Sequence, residues 1–209
     1  MPGVSSLTLF CVAATILIMT PGPDTLYVIA RSFGQGRMAG IISALGICAG
    51  TLVHTLAAAV GLSALLMTSA LAYNVVKYAG AAYLIYLGVR VLLSRQGDAS
   101  LGTLPQAGLA TTFFQAALTN VLNPKVALFF LAFLPQFVTP AQGKVAWQII
   151  TLGVIFIIIT ILWLTLVALL TRSLGDCLRN RPGFVRFQRW FTGGIFVALG
   201  TRLALPEQR

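Results

Sequence analysis

Long stretches with little charge decide what this chain can become. Residues 7–30, 40–72, 74–94, 108–138, 145–171 and 184–205 are mostly apolar, and about 20 such residues cross the hydrocarbon core of a bilayer. Only 9% of the 209 residues are charged and 58% are hydrophobic, whereas soluble domains carry about 25% charged residues. The pattern predicts a single all-α membrane domain over 1–209 with six transmembrane helices, so any activity has to lie within the membrane. The start "MPGVSSLTLF" has no Lys or Arg and so lacks the basic n-region of a cleaved signal peptide. The first helix is expected to be retained. Cys11, Cys48 and Cys177 stand apart, with no CxxC spacing and no local histidine. They are expected to be small apolar packing residues rather than a disulfide or a metal site.

The net charge of +10 raises the question of nucleic acid, and the placement of the charges answers it. With six crossings, Arg31, Arg37, Arg90, Arg95, Arg172, Arg179, Arg181, Arg186 and Arg189 fall on one face, and Lys77, Lys144, Arg202 and Arg209 on the other. The positive-inside rule makes the first face cytoplasmic and puts both termini outside. Attraction to anionic lipid accounts for the arginine-rich loop, and no nucleic-acid partner is needed.

The polar linker 95–107 divides the chain into halves of three helices, about 1–94 and 108–205, and the halves match. Gly22-Pro23-Asp24 aligns with Asn123-Pro124-Lys125, "GRMAGIISALG" from Gly36 with "GKVAWQIITLG" from Gly143, and "YLGVR" with "ALGTR". Three helices is an odd number, so the second half must enter the membrane upside down. An inverted 3+3 repeat is a common architecture of secondary transporters.

Helices 1 and 4 are broken near the midplane. Pro21, Pro23 and Pro124 have no N–H, so the carbonyls of Leu17, Met19 and Asn120 lose their helical donors. Each break also reads as a new helix start, with Gly22 and Asn123 at the N-cap, Pro23 and Pro124 at N1, and Asp24 and Lys125 at N2. Irregular backbone at this depth has to line protein or a wet cavity. Asp24 beside a helix start is electrostatically favourable, whereas Lys125 at the same position is not and calls for an anionic partner. Two partners are open: Asp24 itself, as an ion pair latching the halves, or a substrate carrying both charges, such as an amino acid.

Asp24 is also a candidate for proton uptake. His54, on helix 2 with Thr51 and Thr55, is a second one, although a lone histidine there also reads as hydrogen-bonded packing. Tyr27, Tyr83, Tyr86, Gln115, Asn120 and Asn123 are candidates to line the cavity, and interhelical hydrogen bonding explains most of them equally well. Gly36-x3-Gly40 and Gly46-x3-Gly50 are expected to let helices approach closely.

"TPGPDTLYVIARSFGQGRMAGIISALGICAGTLVHTLAAAVGLSALL", "YAGAAYLIYLGVR" and "TNVLNPKVALFFLAFLPQFV" together resemble the LysE/RhtB family of amino-acid exporters over nearly the whole chain. The residues that carry the resemblance are Pro21, Gly22, Pro23, Asp24, Gly36, Gly40, Asn123, Pro124 and Lys125. The resemblance implies a multi-pass protein of the bacterial inner membrane that expels small amino acids or related metabolites, driven by the proton gradient as an antiporter. The substrate site is then expected at Gly22, Pro23, Asp24, Tyr27, Asn120, Asn123, Pro124 and Lys125, with Asp24 and His54 for proton coupling. No cofactor or metal is expected, and homo-oligomerisation stays open.

Two other readings compete. Export of a metal cation, known among remote relatives, needs several carboxylate, His or Cys ligands, and the spans offer one Asp, one His and two scattered Cys. A membrane-embedded enzyme needs a Ser and His pair, paired aspartates or HExxH. His54 is the only histidine and Asp24 the only acidic residue within a span, so an enzyme is not expected.

Overall fold

The computed structural model describes residues 4–68 and 106–178 and the single positions 78, 82, 85, 86, 89, 93, 197 and 201, with side chains at 6–61, 106–171 and those single positions. Apart from those single positions, the third and sixth expected helices and most of the linker lie outside the described residues, and so does Cys177's side chain.

Among the described residues the regular structure is helical throughout. The first expected helix is two: α1 (Val4–Met19) and α2 (Pro23–Gln35). The second is the long α3 (Arg37–Thr68). The fourth begins as α4 (Leu109–Val121) and resumes as α5 (Pro124–Leu128). That segment then widens into a π-helical turn at Phe129–Phe133 and tightens to 3-10 geometry at Leu134–Phe137. After a 3-10 turn at Pro140–Gln142, α6 (Val145–Leu178) completes the described fold.

Length decides how these helices meet a bilayer. At about 1.5 Å per residue, the 16 residues of α1 and the 13 of α2 fall short of the roughly 30 Å of hydrocarbon. Taken together they suffice, bent by 51° at the break, and α4 with Pro124–Phe137 forms a second such pair bent by 47°. Arg37–Gly61 and Val145–Thr171 are each long and apolar enough alone. Both proline breaks therefore fall inside bent helix pairs long and apolar enough for a broken span or a re-entrant loop, in a multi-pass membrane protein.

A tight glycine turn precedes each long helix. Gly36 (φ 90°) closes α2 before α3, and Gly143 (φ 67°) stands ahead of α6, in a conformation that side chains other than hydrogen disfavour. Gly36 is therefore a turn residue rather than a packing contact, since a Cβ there would meet nothing within 4 Å. Close approach begins at Gly40, against Ser32 and Ala168. On α3, Gly46 lies against the carbonyl of Phe113, and a Cβ at Gly50 would sit 2.7 Å from that of Ala117. Across α3's other contact, Gly153 of α6 lies against Thr55.

Among the described residues two apolar clusters result. The larger is aromatic, with Phe10, Phe129, Phe130, Phe133, Phe137 and Phe156 in successive ring contacts 5.1–5.9 Å apart. The smaller joins Val28, Ala44, Ile47, Ala116, Leu164 and Ala168. Helix α6 runs through both, contributing Ile149, Leu152 and Phe156 to the first and Leu164 and Ala168 to the second. Thr160 lies between these two sets.

Candidate functional site

The proline breaks leave carbonyls without helical donors, and side chains fill two of those places. Pro21 deprives the Leu17 carbonyl, which accepts from Lys125 Nζ at 3.1 Å. The same ammonium donates to the Thr20 carbonyl at 2.9 Å. Pro124 deprives the Asn120 carbonyl, which accepts from Asn123 N–H at 2.9 Å and from His54 Nε2 at 3.1 Å. Facing a carbonyl, Nε2 has to carry the proton. His54 is further held by stacking on Phe130, with centroids 6.0 Å apart. In a bilayer these contacts replace the water an open helix end would otherwise need.

The helix starts form where the prolines place them. Gly22 is the extended N-cap of α2, with Pro23 at N1 and Asp24 in the first turn. Asn123 caps α5 with Pro124 at N1, its Oδ1 accepting from Lys125 N–H at 3.0 Å. Glycine at position 22 makes room for the ammonium, because a Cβ there would lie 3.1 Å from Lys125 Nζ.

Asp24 is 8% exposed. Its Oδ2 accepts from Asn120 Nδ2 at 2.8 Å, and its Oδ1 is buried without a partner. Asp24 and Lys125 make no ion pair within 4.0 Å, so the latch that the sequence left open is absent from this conformation. Carbonyl oxygens meet Lys125 instead of the anion that its position called for. Both side chains line one small cavity of about 20 Å³ with Leu17, Thr25, Asn120 and, from α6, Thr160. A space of that size holds about one water molecule.

The remaining expected residues divide. Asn120, Asp24 and Lys125 come together at the cavity, and Gly22, Pro23 and Pro124 shape the backbone beside it. Asn123 caps its own helix, with its Nδ2 buried and unpartnered, and is not among the lining residues. His54 stands behind Asn120. Tyr86 is exposed, and Tyr83 lies outside the described residues.

Tyr27 and Gln115 belong to a separate polar cluster that joins α2 to α4. Arg31, expected among the flanking charges after helix 1, lies inside α2 and is 3% exposed. It donates to Tyr27 Oη at 3.1 Å, to Gln35 Oε1 at 2.6 Å and to Gln115 Oε1 at 2.6 Å. Tyr27 also donates to Gln115 Oε1 at 3.1 Å, and Gln35 Nε2 to the Ala107 carbonyl at 2.8 Å. Arg31 directly follows the apolar run 7–30, and that position made it read as a flanking charge.

A profile of the family described as LysE type translocator matches residues 15–207. The chain belongs to that family. As a LysE type translocator it is 31% identical to the uncharacterized membrane protein YrhP of Bacillus subtilis, covering 96% of this chain and 99% of the relative. It is 28% identical to the leucine efflux protein of Salmonella choleraesuis, over 97% of this chain and 96% of that protein. It is 31% identical to the homoserine/homoserine lactone efflux protein of Salmonella typhimurium, over 93% and 94%. No solved structure matches the chain. In this LysE type translocator, of the residues that carried the resemblance, Pro21 to Asp24 and Asn123 to Lys125 build the two breaks, while Gly36 makes a turn and Gly40 a close helix contact. Thr160, Phe156 and Leu164, which line the cavity from α6, had no place among the expected site residues. The signal for Thr160 was its being the one hydroxyl in the run "VIFIIITILWL", 154–164.

Proposed function

We propose that this LysE type translocator is a secondary-active exporter of small amino acids or related metabolites, coupled to protons and working by alternating access in the bacterial inner membrane. The observation that carries the reading is a buried Asp24 with an unpartnered Oδ1, lining together with Lys125 a small cavity at the two helix breaks. A zwitterion supplies what each group lacks, its ammonium pairing with Asp24 and its carboxylate with Lys125. Arrival of the substrate carboxylate draws the ammonium from the Leu17 and Thr20 carbonyls, which ties binding to a rearrangement of the first break. After release, a proton on Asp24 replaces the lost ammonium and completes the exchange. His54, as a fixed donor to Asn120, positions this machinery rather than carrying the proton. The names of the leucine and homoserine efflux relatives agree with a neutral amino acid as cargo.

A cavity of about 20 Å³ does not hold an amino acid, so transport requires the helices to separate. The aromatic cluster and the Arg31–Gln115 contact are the two closures on either side. An inverted repeat exchanges them naturally, and the paired bends and paired glycine turns support that symmetry. The basic residues of the loops favour both termini on the periplasmic side.

Purified protein in liposomes loaded with labelled amino acids tests the reading. Appearance of unaltered label outside, accelerated by an imposed pH gradient, is the expected result. Absence of movement for every neutral amino acid, or chemical alteration of the label, contradicts it.

A further inference from the structure

The cavity has one wall that the breaks do not supply. Phe156, Thr160 and Leu164 project from α6 at intervals of four residues, on one helix face, and all three line the cavity. That wall is apolar except for one hydroxyl.

The hydroxyl shares its lack of a partner with Thr112 and Ser32, and of the three only Thr160 lines the cavity. A threonine in an apolar helix ordinarily donates back to the carbonyl four residues earlier. Thr20, Thr51, Thr55, Thr119, Thr151 and Thr171 all do so, at 2.7–3.1 Å. Thr160 is 4% exposed and its Oγ1 has no partner. A buried polar atom left unpaired is disfavoured, and in a native site it calls for an explanation. The position of Thr160 on the cavity wall supplies one.

We infer that Thr160 determines substrate selectivity by hydrogen-bonding a hydroxyl on the side chain of a short amino acid, bound once the helices separate and widen this cavity. The inference rests on the transport reading above. With the zwitterion at Asp24 and Lys125, the substrate side chain extends toward α6. Phe156 and Leu164 accept its methylene groups, and Thr160 meets its polar end. A purely aliphatic side chain leaves the threonine hydroxyl buried and unpaired. Sites built to bond a substrate hydroxyl discriminate strongly against analogues that lack it.

Homoserine and norvaline, in which a methyl replaces the hydroxyl, separate the cases in the liposome assay. Wild-type protein is expected to export homoserine at least about tenfold faster than norvaline. Thr160→Val, which keeps the shape and removes the hydroxyl, should bring that ratio close to one. Thr160→Ser restores the hydroxyl and should restore the preference. Equal export of the two by wild-type protein overturns the inference, whatever the variants do. So does a Thr160→Val ratio unchanged from wild type. Export of neither amino acid nor of any other neutral one overturns the transport reading itself, and this inference with it.

Discussion

The ammonium of Lys125 lies 3.1 Å from the carbonyl oxygen of Leu17, the oxygen that Pro21 deprives of its helical donor. One break of the chain is thus completed by the charged residue of the other. The relationship is reciprocal in kind, because the first-turn carboxylate of α2, Asp24, is held by Asn120 at the second break.

Removing the ammonium is expected to loosen the first break. Lys125→Met leaves the Leu17 and Thr20 carbonyls short of a donor, and hydrogen bonds to charged groups contribute about 1.5–3 kcal/mol each. Gly22→Ala displaces the ammonium without removing it and should destabilise less. Thermal unfolding in detergent orders the variants, and a Lys125→Met protein as stable as wild type contradicts this role.

Backbone approach along α3 gives a graded prediction. A Cβ at Gly50 would lie 2.8 Å from Asn120 Oδ1 and Cβ, whereas one at Gly61 meets nothing within 4 Å. Gly50→Ala is expected to destabilise by about 1–3 kcal/mol through overpacking, and to impair export because Asn120 orients Asp24. Gly61→Ala should stabilise by up to about 1 kcal/mol from helix propensity alone. Melting curves of the two variants check the contrast.

Much of this was legible in the sequence, and the reasons are physical. Proline removes a donor wherever it stands, so the breaks, their caps and the orphaned carbonyls of Leu17 and Asn120 followed from residue type. Apolar run length anticipated the two long helices and the two bent pairs among the described residues, while the third and sixth expected helices lie outside them. The partners of those carbonyls did not follow. Lys125 reaches Leu17 across more than a hundred residues, and only the packed helices bring them together. Arg31 read as a flanking charge because burial inside α2 depends on Tyr27, Gln35 and Gln115 converging around it. Gly36 read as packing because spacing alone does not distinguish a positive φ from a close approach. Thr160 stayed hidden since a threonine in an apolar helix usually satisfies its own hydroxyl.

His54 provides a test between positioning and proton transfer. His54→Gln keeps an N–H donor for the Asn120 carbonyl and is expected to retain proton-driven export. His54→Leu removes one of that carbonyl's two partners and should lower stability by about 0.5–1.5 kcal/mol. Export rates under an imposed pH gradient decide the matter. Loss of coupling in a folded His54→Gln protein would return the histidine to the proton path.

The Arg31 cluster is expected to hold one side of the cavity closed. Gln115→Leu removes the acceptor shared by Arg31 and Tyr27, and hydrogen bonds to charged groups contribute about 1.5–3 kcal/mol. A cysteine placed at Thr25, with the native cysteines replaced, should then react faster with an impermeant thiol reagent. The increase is expected from the side of the membrane that bears Gln35. Unchanged labelling from that side contradicts a closing role.

The most direct measurement is proton-driven efflux by Asp24→Asn protein in liposomes. The new amide oxygen still accepts from Asn120, so the fold is retained, while the charge that meets the substrate ammonium and the proton is gone. Efflux under an imposed pH gradient is expected to fall to the level of empty liposomes, with the protein inserted and thermally stable. Efflux at the wild-type rate would contradict Asp24 as the site of binding and coupling.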